Sequence, residues 1–258
     1  MKSFVLENFG IRCGVNLVNS DEEVPFKTAA AYGCSDVDIY VYRKNSVLPD
    51  EIKEKYRRPF FEAFDYGEKS AFCLADNSVP FDFLLGFEFN ESIMAFQNSL
   101  DLVFFHAACV VKDGSAFLFA APSGGGKSTI ALLAERNGLE VLDDDSCVIR
   151  KDKGVYFVQS FPVDVLDPSA EKGYRVEKVF FLEKSDKNNL KSISRLTALM
   201  RSMSEANDLY PWQYPVSERM SARKRIFCFL DEMLKTVPFN VLEFSIDEGI
   251  FSCSGIFS

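Results

Sequence analysis

The chain has 258 residues, 47% of them hydrophobic, so it can bury a sizeable core as one large domain or as a moderate domain with a smaller companion. A formal charge of −9 speaks against a broad nucleic-acid surface and against an anionic membrane as partner. Seven scattered cysteines, odd in number and without C-x-x-C spacing, read as buried thiols, and with a single histidine beside them no clustered zinc set is on offer.

From Met1 to about Leu100 short apolar runs alternate with turn signals. Phe4-Val5-Leu6, Ile11 to Val18, Val37 to Val41, Ala71 to Leu74 and Phe81 to Phe89 have strand character, separated by signals such as Asn19-Ser20-Asp21 and Pro49-Asp50-Glu51. Antiparallel pairing is expected there. Asp36, Asp38 and the Arg57-Arg58 pair read as solvated charges, with substrate contact as the sharper alternative. Asn90 to Ser99 leads on with Ile93, Phe96 and Leu100 at helical spacing. Most of the 26 phenylalanines read as strand filling. Without an N-terminal signal or an apolar run of transmembrane length, a reduced cytoplasm is the expected compartment.

The informative stretch runs from Ser115 to Arg150. Ala116 to Ala121 reads as a buried strand that stops at Pro122, after which Ser123, Gly124, Gly125 and Gly126 form a tight loop into Lys127-Ser128-Thr129 at a helix start. Such a loop turns main-chain N–H groups toward a phosphate chain at the positive end of the helix, while Lys127 reaches the outer phosphates and Ser128 ligates Mg²⁺. Ala121 stands where the usual pattern has its first glycine and lacks that residue's access to positive φ. Ile130, Leu133 and Ala134 continue the helix and Asn137-Gly138 stops it. Leu139 to Leu142 then reads as a strand that delivers Asp143-Asp144-Asp145 at its C-terminal end, completing a parallel strand–helix–strand unit. Ligands collect beyond strand C-termini in open α/β sheets, and phosphate-bound Mg²⁺ needs one or two carboxylates. His106, after Val103-Phe104-Phe105, is either a strand-end residue with a satisfied hydrogen bond or a partner of the catalytic carboxylate.

Beyond Arg150, Cys147-Val148-Ile149 and Val155 to Val158 form a hairpin through Lys151-Asp152-Lys153-Gly154. Phe161 to Lys172 has no clear period and reads as a connection, with a substrate cover as the alternative. Lys172 and Arg175 are candidate transition-state cations. Val176 to Leu182 reads as a buried strand. Ile193, Leu196, Met200 and Met203 mark one helix, and Ile226 to Val237 a longer one that begins near Ser217 and ends at Pro238. Its basic start, with Arg219, Arg223, Lys224 and Arg225, reads as a solvated face that could also attract an acidic peptide. Phe239 to Ile246 and Gly249 to Ile256 are expected to close the sheet as strands.

In order, His106, the hairpin through Lys112-Asp113-Gly114, the loop Pro122 to Ser128, Asn137-Gly138 and Asp144-Asp145 resemble the catalytic domain of HPr kinase/phosphorylase and its bacterial relatives, some found with peptide-modification systems. The resemblance covers roughly Leu102 to Arg150 and is weaker to about Met203. It implies an α/β fold with a P-loop-containing HPr-kinase/PEP-carboxykinase-like core of mixed sheet plus helices at 101–258, beside a small β-rich part at 1–100. It also implies a kinase that passes the γ-phosphoryl group of ATP to a serine or other hydroxyl of a peptide, protein or small molecule. Ser123 to Thr129 would hold the nucleotide, Ser128 and Asp145 the Mg²⁺, and Lys127, Asp144 and His106 would act in catalysis. Which aspartate is base and which is ligand stays open. Thr129 stands where the best known members carry glutamate, and no L-E-x-R-G-x-G-I segment follows, so neither HPr as substrate nor reverse phosphorolysis is expected. The alternatives are an NTPase and a nucleotide-sensing or peptide-binding module that does not turn over. Neither nucleic acid nor membrane is an expected partner, and a homo-oligomer is compatible with the sequence.

Overall fold

β-Branched and aromatic residues at period two make the N-terminal part a sheet. The computed structural model describes residues 2–8, 11–18, 35, 37–43, 65–66, 70–75, 101–161, 173–207, 219–246, 248–252 and 255–257. Two units divide the chain, Met1–Leu100 with Val163–Lys172, and Asp101–Pro162 with Gly173–Ser258. The strand expected over Phe81 to Phe89, the helix over Asn90 to Ser99, Asp36, the Arg57-Arg58 pair, the connection from Pro162 to Lys172 and the helix start at Ser217 lie outside the described residues.

In the first unit β1 (Lys2–Asn8), β2 (Ile11–Val18), β3 (Val37–Arg43), β4 (Asp65–Tyr66) and β5 (Ser70–Ala75) form a sheet in the order β1-β2-β3-β5-β4. The uniformly antiparallel pairing expected from the sequence is not what forms. β1/β2 and β4/β5 are antiparallel, but β2/β3 and β3/β5 are parallel. Alternation is the same for either direction, and residues 19–36 and 44–69 are long enough for the crossovers that parallel neighbours require. Asp38 also departs from expectation. It lies opposite Gly14, where a Cβ would run into its carboxylate, and it accepts a hydrogen bond from Ser35 Oγ at 2.7 Å. The charge is half-buried and engaged rather than freely solvated.

The second unit contains β6 (Leu102–Phe105), β7 (Ala107–Lys112), β8 (Ser115–Ala120), α1 (Lys127–Arg136), β9 (Glu140–Asp143), β10 (Cys147–Asp152), β11 (Val155–Ser160), β12 (Tyr174–Lys184), β13 (Asn189–Ser192), α2 (Arg195–Asn207), α3 (Arg219–Met233) and β14 (Phe239–Phe244). Its mixed sheet runs β6-β10-β11-β12-β8-β7-β9, with β14 also on β12 and β13 on β14. The fold of this unit is therefore α/β. Side chains alternate across it: Ala116, Leu118 and Ala120 join a core shared with α2 and α3, whereas Phe117 and Phe119 join one shared with α1. Both faces are covered, and each fully buried large side chain contributes about 1.5–3 kcal/mol.

Two expectations about elements fail here. Gly249 to Ile256 is not a closing strand; a 3-10 helix spans Glu248–Ser252. Phe251 of this helix lies edge-on to Phe119 at 6.2 Å, and Phe257, beyond it, edge-on to Phe117 at 4.8 Å. Helix α2 also presents a different face. Leu196 and Met200 are exposed, while Ala198, Leu199, Ser202, Glu205 and Ala206 are buried; of the expected set, Ile193 and Met203 do pack against the core. Ala198, Ser202 and Ala206 make much of that face small, which suits packing against a sheet at interior density.

The strand–helix–strand unit has one strand more than expected. β8 and β9 both pair antiparallel with β7, so they run parallel to each other with β7 between them. That insertion sets up the site, because the start of β7 lies at the same edge as the ends of β8 and β9.

Candidate functional site

β8 delivers the glycine loop. Gly124 and Gly126 have φ of 75° and 111°, Gly125 N–H donates to the Pro122 carbonyl at 2.8 Å, and Ile130 N–H donates to the Gly126 carbonyl at 2.9 Å as the helix begins. Gly126 is the N-cap, so α1 starts with no side-chain cap on its N–H groups. Such a start is the positive end of a helix and suits an anion. Ala121 does not need the positive φ that the usual first glycine supplies; among the described residues, Asp101, Asp113 and Lys153 are the non-glycine residues that adopt one. Its Cβ lies instead where a Cβ on Gly125 would come within 2.5 Å. Ser123 and Ser128 are exposed and Thr129 is half-buried.

Lys127 is the first residue of α1 and is 6% exposed. Its Nζ donates to the Ala121 carbonyl at 2.9 Å and lies 3.9 Å from Asp145 Oδ1. Burial pulls its pKa below the ordinary lysine value, against the opposing pull of Asp145, Glu205 and Asp144.

The acidic run is shaped by its first member. Asp143 closes β9, and its Oδ1 accepts the N–H groups of Asp145 at 2.8 Å and Ser146 at 2.9 Å. This side-chain turn projects Asp144 and Asp145 beyond the strand end, both exposed. Burial raises the Asp143 carboxyl above its ordinary value, against those two N–H groups and helped by its two acidic neighbours.

His106 sits between β6 and β7, one residue before Ala107, which is opposite Ala120 at the end of β8. Its Nε2 is 2.8 Å from Asp145 Oδ1. Lys127, Asp145 and His106 thus meet, although they are far apart in sequence. Asp144 precedes Asp145 in the chain, and its charge is the smallest of those that oppose the lowering of the Lys127 pKa. Arg175 is not at this site. It pairs opposite Ser115, at the far end of β8, about 17 Å along the strand by the usual rise, and it faces Glu177 at 3.8 Å. Lys172 lies outside the described residues.

One residue of the site escaped the sequence reading. Glu205, in the last turn of α2, is 3% exposed; its Oε2 is 3.4 Å from His106 Nδ1, and its main-chain carbonyl accepts the His106 N–H at 3.3 Å. The available signal was a carboxylate on a helix face of small residues, legible only once that face is known to be the buried one.

Among the described residues no cluster of three His, Cys, Asp or Glu side chains could hold a metal by itself. A magnesium ion carried on phosphates would need from the protein a hydroxyl and one or two carboxylates, taking its other ligands from phosphate and water. Ser128 and the 65%-exposed Asp145 are such donors.

A family described as "ScmC: SynChlorMet cassette protein ScmC" matches residues 88–254. Among solved structures, the HPr(Ser) kinase/phosphatase from Coxiella burnetii is similar at 17% identity over 35% of this chain and 77% of that one, with a TM-score of 0.24. No curated protein matches.

Proposed function

This chain belongs to the ScmC family of SynChlorMet cassette proteins, and on that premise we propose that it is an ATP-dependent phosphotransferase acting on a hydroxyl. The observation that carries the reading is the meeting of Lys127, Asp145 and His106 at the uncapped start of α1, beyond the ends of β8 and β9. A helix start with a buried lysine and facing carboxylates is suited to a polyphosphate and its metal. The serine acceptor on a peptide or protein, and ATP as donor, are carried over from the HPr-kinase resemblance.

In this reading the P-loop residues Ser123 to Ser128 turn main-chain N–H groups to the phosphate chain and Lys127 neutralises its charge. Ser128 and Asp145 would hold Mg²⁺, which when bound would supply charge stabilisation on the phosphoryl oxygens. His106 orients Asp145 through the 2.8 Å contact. Asp144, exposed beside them, takes the proton of the acceptor hydroxyl. The acceptor oxygen forms a bond to the γ-phosphorus as the bond to the β–γ bridging oxygen breaks, and ADP leaves with that electron pair.

The test is incubation with γ-labelled ATP, Mg²⁺ and serine-containing peptides or small hydroxyl acceptors. Label transfer is expected, reduced by about 10²-fold or more in Asp144→Asn and lost in Lys127→Ala. Phosphate release that no acceptor captures would make the protein an NTPase, and nucleotide binding without turnover would make it a sensor. A chain that binds no nucleotide sinks the reading.

A further inference from the structure

We propose that Glu205 is a positioning residue that clamps the His106 ring, so that a line of three side chains, Glu205–His106–Asp145, leads from the buried end of α2 to the glycine loop. The geometry stands without the kinase reading; only the catalytic consequence rests on it.

Glu205 meets His106 at two points, one a main-chain hydrogen bond and the other a longer side-chain contact. Its carbonyl oxygen accepts the His106 main-chain N–H at 3.3 Å, and its carboxylate lies 3.4 Å from Nδ1. The ring's other nitrogen is 2.8 Å from Asp145, so both nitrogens face a carboxylate. An imidazole can turn over about its ring bond, and a partner at Nδ1 is what selects the orientation that presents Nε2.

Local rules argue against a carboxylate at this position. The last turn of a helix is its negative end and favours cations, yet α2 has none there. At 3% exposure Glu205 also bears the cost of a buried carboxylate. A residue that breaks both rules while touching a site histidine marks a functional constraint. Asp145 is exposed and lies on a turn, so an anchored ring gives it the rigidity that its own segment lacks.

His106 is the single histidine of the chain, which makes its ring nitrogens a clean probe. In the full-length protein labelled with ¹⁵N-histidine, Glu205→Gln is expected to move the Nδ1 signal, and Asp145→Asn the Nε2 signal, in chains with native thermal unfolding. Glu205→Asp, which withdraws the carboxylate by one methylene, is the second variant and is expected to move Nδ1 in the same sense. With Mg²⁺-ATP, Glu205→Gln should lower kcat about tenfold or more while the nucleotide Kd stays within about twofold. Added to His106→Gln it should cost nothing further, because the two act as one unit. An Nδ1 signal unmoved in folded Glu205 variants overturns the proposal, as does full additivity with His106→Gln. A wild-type chain that neither transfers nor releases phosphate overturns the kinase reading alone, since the ring signals still decide the role of Glu205.

Discussion

The ring of Phe244, the last residue of β14, occupies the space a Cβ would take on Gly126. β14 pairs with β12, which in turn flanks β8, so the loop leaving β8 is seated on the end of a strand from the far end of the chain. Gly126 also has a φ of 111°, which a side chain disfavours. Gly126→Ala is therefore expected to lose about 1–3 kcal/mol to overpacking. The left-handed backbone adds roughly 1–2 kcal/mol. Mg²⁺-ATP binding should fall with it. Adding Phe244→Leu should restore part of the thermal stability but not the binding, because the backbone penalty stays.

The Ala121–Gly125 contact makes a complementary prediction. Because Ala121 keeps an ordinary φ, returning the usual glycine with Ala121→Gly should not improve nucleotide binding, and should cost about 0.4–1 kcal/mol by loosening the unfolded chain. Gly125→Ala meets both the Ala121 Cβ at 2.5 Å and the Pro122 carbonyl at 2.9 Å, so it should abolish binding. Equilibrium titration with Mg²⁺-ATP, beside denaturant unfolding, checks both.

Asp143 separates shape from charge. Its carboxyl has a folded pKa above the ordinary value of 3.8, chiefly through burial, so the native chain holds that proton more firmly than the unfolded one. Its contribution to stability is full below the unfolded value and is lost as pH rises through the folded one. Asp143→Asn keeps an oxygen for the N–H groups of Asp145 and Ser146 and removes the titration. It should be as stable as the parent or more so at neutral pH, with a shallower loss of stability above about pH 4. Asp143→Ala removes both hydrogen bonds and should cost about 1–3 kcal/mol, at roughly 0.5–1.5 each. Thermal unfolding from pH 3 to 8 distinguishes them.

Lys127 is held at a cost to the fold. Burial lowers its pKa below 10.5, so the native chain disfavours its charge, and the stability penalty is relieved as pH rises through the folded value toward the unfolded one. Lys127→Met should therefore unfold at the same temperature or higher at pH 7, while Mg²⁺-ATP affinity drops about 10–100-fold with the charge-assisted bonds. Asp145→Asn removes the largest opposing charge, so the alkaline loss of nucleotide affinity should move to lower pH. Affinity measured from pH 7 to 10 in the three chains gives the answer; an unshifted profile would mean that Asp145 does not reach Lys127.

Several local features could be read directly because they depend on a few adjacent residues. The turn at Lys112-Asp113-Gly114 forms with φ of 50° and 77° at its two central residues, and Asn137-Gly138 ends α1 with Gly138 at 71°. Glycine punctuation and short-range hydrogen bonds act within one turn. The basic face of α3 likewise follows from residue type, with Arg223, Lys224 and Arg225 exposed.

Features that depend on distant residues were not legible in this way. Strand direction in the first unit, the buried face of α2 and the fate of Gly249 to Ile256 all turn on which surfaces meet, and the apolar pattern is nearly the same for the right and wrong answers. The clearest case is the site itself. Amino-acid order alone specified a glycine loop with Lys127 at a helix start and an acidic run one helix and one strand later, since those follow from local backbone preference and apolar period. The family resemblance put His106 beside that acidic run; only the three-dimensional pairing, with β7 antiparallel between β8 and β9 and α2 packed on the sheet, decided how His106 reaches the loop and brought Glu205 to it, because register and packing distance are set by side chains far away in the chain.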